Sequence, residues 1–249
     1  GRRWSARLVF PTPLVPDRFV YRGLRAWGAM LLLPYWQPQV SGLEHFPLDG
    51  PVILVANHPT LMDPFLVAAV TPRLLDFFIR HEVFRIPILG PLIARASGIT
   101  VRPGASAVQE GLARLQTGAA LAIFPEAQQT HSRELQPFRS GAAVLAVETG
   151  VAVIPLGLSG PERLSTARGA WVKGGRVRLS FGPPLRALSG ETADQFGERL
   201  RMALAAQISA QPPDPPCRHW RFVLAQAVWV PTTWLIFRFA DWWNPNNRR

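Results

Sequence analysis

The stretch VILVANHPTLMDPFLVAA, residues 52–69, decides how the chain is read. A short apolar, β-branched run stops at Asn57 and His58. Asp63 comes five residues after the histidine, then Pro64, and the sequence turns apolar again. On one regular helix a five-residue offset is about 140° of rotation, at ~100° per residue, so the two side chains would not share a face. They meet if His58 lies on a strand-to-helix turn and Asp63 opens the helix. Pro64 supports that placement, because proline is tolerated at the start of a helix, and it puts Asp63 where an N-cap belongs. An Asp beside an imidazole fixes its tautomer and stabilises the cation formed on proton uptake, which suits the pair to deprotonate a hydroxyl. Taken alone, the same residues serve equally well as a helix cap and a turn.

The alternation of strand and helix continues along the chain. PVILVAN, LLDFFI (74–79), GITV, ALAIF, VAVIPLGL and RVRLSFG read as strands. PFLVAAV, the interrupted VFRIPILGPLIARA, SAVQEGLARLQTG (106–118), SGAAVLAVETG and TADQFGERLRMALAAQIS read as helices. Strands separated by helices predict an α/β fold with a central, mostly parallel sheet covered by helices.

The 249 residues are 48% hydrophobic and 17% charged, which excludes a disordered chain. The 27 Lys+Arg against 16 Asp+Glu leave +11, almost all of it arginine, so an anionic partner is expected. No helix concentrates these arginines and the aromatics sit in apolar runs, which argues against nucleic acid and leaves anionic lipid headgroups or a phosphorylated substrate, with an anionic membrane surface and no nucleic acid as the expected partners. A single cysteine, Cys217, allows no intramolecular disulfide and no Cys-based zinc site. No secretory pattern comes after Gly1, and the body is expected to face the cytosol from the membrane.

The flanks differ from the middle. Residues 1–41 are basic and aromatic and are expected to form an N-terminal membrane-interfacial segment. Within it, FVYRGLRAWGAMLLL (19–33) is too short and too charged to span a bilayer and either lies in an interface or covers the core. After the QPPDPP break at 211–216, residues 217–249 hold five of the nine tryptophans. Their apolar core, 222–237, is shorter than the ~20 residues of a comfortable span, and Trp and Arg at both ends fit an interfacial or re-entrant segment. Residues 211–249 are therefore expected to be a Pro-rich linker and a membrane-associating tail, leaving 42–210 as the catalytic domain.

Residues 124–141, FPEAQQTHSRELQPFRSG, place Phe124, Pro125 and Glu126 at the end of a strand, before a polar loop and a new helix. NHPTLMDP, FPE…ELQPFRSGAA and VAVIPLGL, in this order and spacing, resemble the glycerophospholipid (1-acylglycerol-3-phosphate) O-acyltransferase family over about residues 42–182. The resemblance implies transfer of a fatty acyl group from an acyl thioester, acyl-CoA or acyl carrier protein, to the hydroxyl of 1-acylglycerol 3-phosphate, giving phosphatidic acid. His58 would be the general base and Asp63 its orienting partner. Asn57, Phe124, Pro125 and Glu126 would bind substrate, with no metal and no cofactor beyond the thioester co-substrate.

Two departures bear on the acceptor. The family loop usually runs Phe-Pro-Glu-Gly-Thr-Arg-Ser; here Ala127, Gln128 and Gln129 stand at the Gly, Thr and Arg positions. Gln129 can hydrogen-bond a phosphate but brings no charge. The family ends its third strand in Val-x-Arg-Gly; here TVRPG puts Arg102 one position early. Arg102 and then Arg139 are the expected phosphate ligands, with His131 and Arg133 as substitutes. The alternatives are an uncharged glycolipid or glycosylated carotenoid acceptor, and a non-enzymatic basic membrane-binding protein.

Overall fold

A computed structural model of the chain describes residues 17–33, 36–60, 62–85, 89–96, 98–101, 107–126, 135–161 and 175–209. Seven strands, β1 (Pro38–Ser41), β2 (Val52–Ala56), β3 (Asp76–Arg80), β4 (Gly98–Val101), β5 (Ala120–Ile123), β6 (Val153–Ser159) and β7 (Val177–Phe181), form one sheet. Their order is β1-β7-β6-β2-β5-β3-β4, and every neighbouring pair is parallel except β6–β7. The helices are α1 (Arg18–Leu32), α2 (Asp63–Val70), α3 (Leu89–Ala96), α4 (Ala107–Gln116), α5 (Gly141–Thr149) and α6 (Ala193–Ser209). The expected α/β architecture with a mostly parallel, helix-covered sheet is the one observed.

Alternation along β2 shows how the sheet is covered. Val52, Leu54 and Ala56 enter one apolar cluster, with Tyr21 of α1 and Leu66 and Val67 of α2. Ile53 and Val55 enter another, with Leu115 of α4, Leu145 of α5 and Phe196 and Leu200 of α6. All residues of β2, β5 and β6 are buried, as expected of central parallel strands with helices on both faces.

The N-terminal boundary moves. Residues 38–41 were expected in the interfacial segment, but they pair with β7 as an edge strand, and Trp36 just before them is fully buried. Helix α1 covers the core on one face. Asp17 caps it by accepting from the Phe19 and Val20 N–H groups at 3.0 and 3.2 Å and receives Arg95 of α3 at 3.0 Å. The Tyr21 hydroxyl accepts from the Leu75 N–H at 3.2 Å, and burial pushes its pKa up to about 12. The outer face of the same helix exposes Phe19, Trp27 and Met30. Among the described residues no helix is long and apolar enough to cross a membrane. The expected linker and tail, 211–249, lie outside the described residues.

At the amino ends of the strands Arg114 of α4 meets Asp76 of β3 at 2.8 Å, both buried. Burial holds the Asp76 carboxyl above the usual carboxylate range despite the arginine, and its Oδ1 has no hydrogen-bond partner. Arg114→Leu should cost roughly 3–5 kcal/mol at neutral pH, because it leaves a buried carboxylate without a counter-charge. The folded variant then holds a proton on Asp76 more tightly than the unfolded chain does, so the loss should shrink as pH falls. Denaturant midpoints of both proteins at pH 8 and pH 5 check the sign.

Candidate active site

The site forms where the carboxyl ends of β2 and β5 lie side by side, the usual ligand position in an open α/β sheet. His58 stands in the turn after β2, its Nδ1 2.9 Å from Oδ2 of Asp63. The imidazole side chain is 15% exposed and the carboxylate 0%. Asp63 is the first residue of α2; the N-cap is Met62, so the expected capping role is not the one adopted. A helical Cβ leans toward the N-terminus, which turns this carboxylate back into the turn and away from the next amides. There it accepts from the Thr60 N–H at 2.6 Å and the Thr60 hydroxyl at 2.7 Å. Three donors therefore fix the Asp63 carboxylate, which holds His58 by Nδ1.

Thr60 is a site residue that the motif did not single out. A signal for it exists in the sequence: Thr-x-x-Asp ahead of an apolar run is a capping-box pattern, in which the acid reaches back to the first residue's N–H.

Asn57 precedes the histidine, and its buried side chain is engaged by the sheet. Its side chain donates to the Leu158 carbonyl at 2.9 Å and accepts from the Leu158 N–H at 2.7 Å, continuing the β2–β6 pairing past the end of β2. Phe124, after β5, stacks on the His58 ring with centroids 4.4 Å apart and planes at 28°. The Pro125 carbonyl accepts from the Arg139 N–H at 2.9 Å. Glu126 is buried, its Oε1 accepting from the His58 N–H and its Oε2 from the Gln136 N–H, each at 3.0 Å. Burial raises its pKa, and these N–H groups pull it down. Arg139 is exposed at the cavity rim. Arg102, Gln129, His131 and Arg133 lie outside the described residues.

His58 opens into a cavity of about 1140 Å³, walled by Leu24, Phe65, Phe77, Phe78, Ile93 and Ile123 among others. Arg25 and Arg139 also line it. A base at the edge of an apolar space with cations on the wall can bring a hydroxyl on an amphiphile to an acyl group. The geometry thus defines an α/β protein with a His-Asp pair at the edge of a largely apolar cavity.

Residues 37–159 match the Acyltransferase family. The chain is 34% identical to the lyso-ornithine lipid O-acyltransferase of Pseudomonas aeruginosa, over 62% of this chain and 68% of that protein. It is 26% identical to the chloroplastic 1-acyl-sn-glycerol-3-phosphate acyltransferase LPAT1 of Arabidopsis thaliana, over 73% of this chain and 52% of that protein. The chain spans about half the length of that relative and of the Brassica napus enzyme BAT2, which it covers to 55%. Its fold is that of the crystal structure of the 1-acyl-sn-glycerophosphate acyltransferase PlsC from Thermotoga maritima, with a TM-score of 0.69 at 23% identity, covering 81% of this chain and 86% of that one. The chain belongs to the Acyltransferase family.

Thr60→Val keeps the shape of the side chain and removes the hydroxyl donor, leaving the fully buried Oδ1 of Asp63 unsatisfied. A loss of about 1–3 kcal/mol is expected, measured as the shift in urea midpoint at constant slope.

Proposed function

We propose that the protein transfers a fatty acyl group from an acyl thioester, acyl-CoA or acyl carrier protein, to the hydroxyl of a lyso-lipid. 1-Acylglycerol 3-phosphate is the first candidate acceptor and phosphatidic acid its product. The observation that carries this reading is the 2.9 Å His58–Asp63 pair opening into the apolar cavity. Nε2 of His58 takes the acceptor's hydroxyl proton, and the oxygen forms a bond to the thioester carbonyl carbon. The carbon–sulfur bond breaks, and the thiolate recovers the proton from the imidazolium that Asp63 has stabilised. No covalent acyl-enzyme is required. Family membership supports an enzyme over a non-enzymatic membrane-binding protein.

A second acceptor class is favoured by one sequence feature and one relative. Ala127-Gln128-Gln129 lacks the arginine of the family loop, and the Pseudomonas relative is named for a lyso-ornithine lipid, which is not a phosphate ester.

His58→Ala should lower kcat by about 10²–10⁴-fold without changing the circular dichroism spectrum. One acyl-CoA assayed against lysophosphatidate, a lyso-ornithine lipid and a lyso-glycolipid separates the acceptor classes. With a phosphate acceptor, Arg139→Ala should raise the acceptor KM about ten- to a hundredfold, as expected for a lost hydrogen bond to a charged group. Near-normal turnover by well-folded His58→Ala protein would sink the mechanism; equal use of the unphosphorylated lipids would sink phosphatidic acid as the product.

The protein is also proposed to sit on an anionic membrane by the outer face of α1. Phe19 and Met30, eleven residues apart, fall within about 20° of each other on a helix. They are 87% and 66% exposed, with Arg18 and Arg22 exposed beside them. Apolar side chains flanked by arginines suit an interfacial helix. Phe19→Glu combined with Met30→Glu should reduce co-sedimentation with anionic vesicles; full retention by that variant would place the contact elsewhere.

A further inference from the structure

We propose that Glu126 is a positioning residue for His58 and not a ligand of the acceptor. The proposal rests on the reading of His58 as the general base and adds to it how the base is held.

Both oxygens of Glu126 are in use: one accepts the His58 N–H and the other the Gln136 N–H, each at 3.0 Å. The residue is 6% exposed. An acceptor hydroxyl could reach only the lone pairs that the two backbone donors leave, and those lie below the surface. A phosphate would meet a like charge there. The residue type suits a bridge instead, because a carboxylate presents two oxygens to two N–H groups at once, and charge-assisted bonds to backbone amides are stronger than neutral ones.

The bridge joins the turn after β2 to the segment before α5. The Pro125 carbonyl fastens the Phe-Pro-Glu turn to that same segment through the Arg139 N–H at 2.9 Å. Phe124 lies against the imidazole face. Three consecutive residues therefore hold three things: Phe124 the ring, Pro125 the segment before α5, and Glu126 the histidine's own amide. Asp63 sets the rotation of the ring by Nδ1, and Glu126 sets the backbone that carries it. Because the His58 N–H is engaged by Glu126, the developing thioester oxyanion takes its hydrogen bonds from other donors.

The test uses the full chain. In Glu126→Gln one oxygen becomes an NH2 group facing a backbone N–H, so the bridge cannot close on both sides. The expected result is a fall in kcat of about ten- to a hundredfold, the scale of an ångström-sized misplacement of a reacting group, with acceptor KM within about twofold of wild type. The proton shared by His58 Nδ1 and Asp63 should give a downfield NMR resonance in the wild type that weakens or shifts in the variant. That signal needs no turnover. If the wild type acylates none of the lyso-lipids, the functional reading falls while the resonance still tests the bridge. A tenfold rise in acceptor KM at unchanged kcat overturns the proposal, as does an unaltered resonance. Should Glu126→Gln fail to fold, Glu126→Asp keeps the charge but is one methylene too short to reach both amides, and it carries the same expectations.

Discussion

The Asp63 carboxylate is withdrawn wholly from water, and the arrangement of the site depends on how that cost is met. A buried carboxylate must be surrounded by donors, because desolvation penalises any lone pair left open. Thr60 supplies two donors and His58 a third. The turn from β2 into α2 has to close tightly enough to aim all three, and Pro64 at the start of α2 supports that geometry. Once the carboxylate is satisfied, the imidazole is held with Nδ1 on Asp63, and the residue lines the cavity.

The sheet makes that local solution usable. β2 lies between β5 and β6, both parallel to it, so its carboxyl end has a partner on each side. On the β6 side Asn57 lends its side chain to extend the pairing. On the β5 side Glu126 bonds the next residue along, His58. Two buried acids thus meet one histidine in different ways, Asp63 through its ring and Glu126 through its backbone. The antiparallel β6–β7 pair lies on the far side of β6 from β2 and leaves this junction undisturbed.

Much of this was legible in the sequence. The alternation of apolar runs located β2 to β7, and Pro64 after Asp63 marked a helix start that would let His58 and Asp63 meet, while leaving a plain cap and turn open. What escaped did so for physical reasons. PQVS, the sequence of β1, holds one β-branched residue and opens with proline, so it becomes a strand only because β7 offers an edge. Thr60 and Asn57 belong to the motif, but their hydrogen bonds are set by backbone geometry, and Leu158 lies 101 residues from Asn57. Glu126 reads as a loop carboxylate because nothing local says that the His58 amide will lie 3.0 Å from it. Tyr21 sits among arginines and aromatics that pattern alone assigns as readily to an interface as to a core.

Helix α1 covers the core with one face, and its other face is the one proposed to meet the membrane. Its inner face places Tyr21, Leu24 and Arg25 on the cavity wall, where the Tyr21 hydroxyl is anchored on the amide just ahead of β3. Its outer face carries Phe19 and Met30 into solvent. On the proposed contact, a bilayer surface would cover these apolar groups, with the flanking arginines at its anionic headgroups. A lyso-lipid is itself an amphiphile held in such a surface. With α1 so placed, one face on the bilayer and the other on the cavity, the acceptor's chain would exchange one apolar environment for another, so that its transfer from the membrane to His58 would avoid exposing that chain to water.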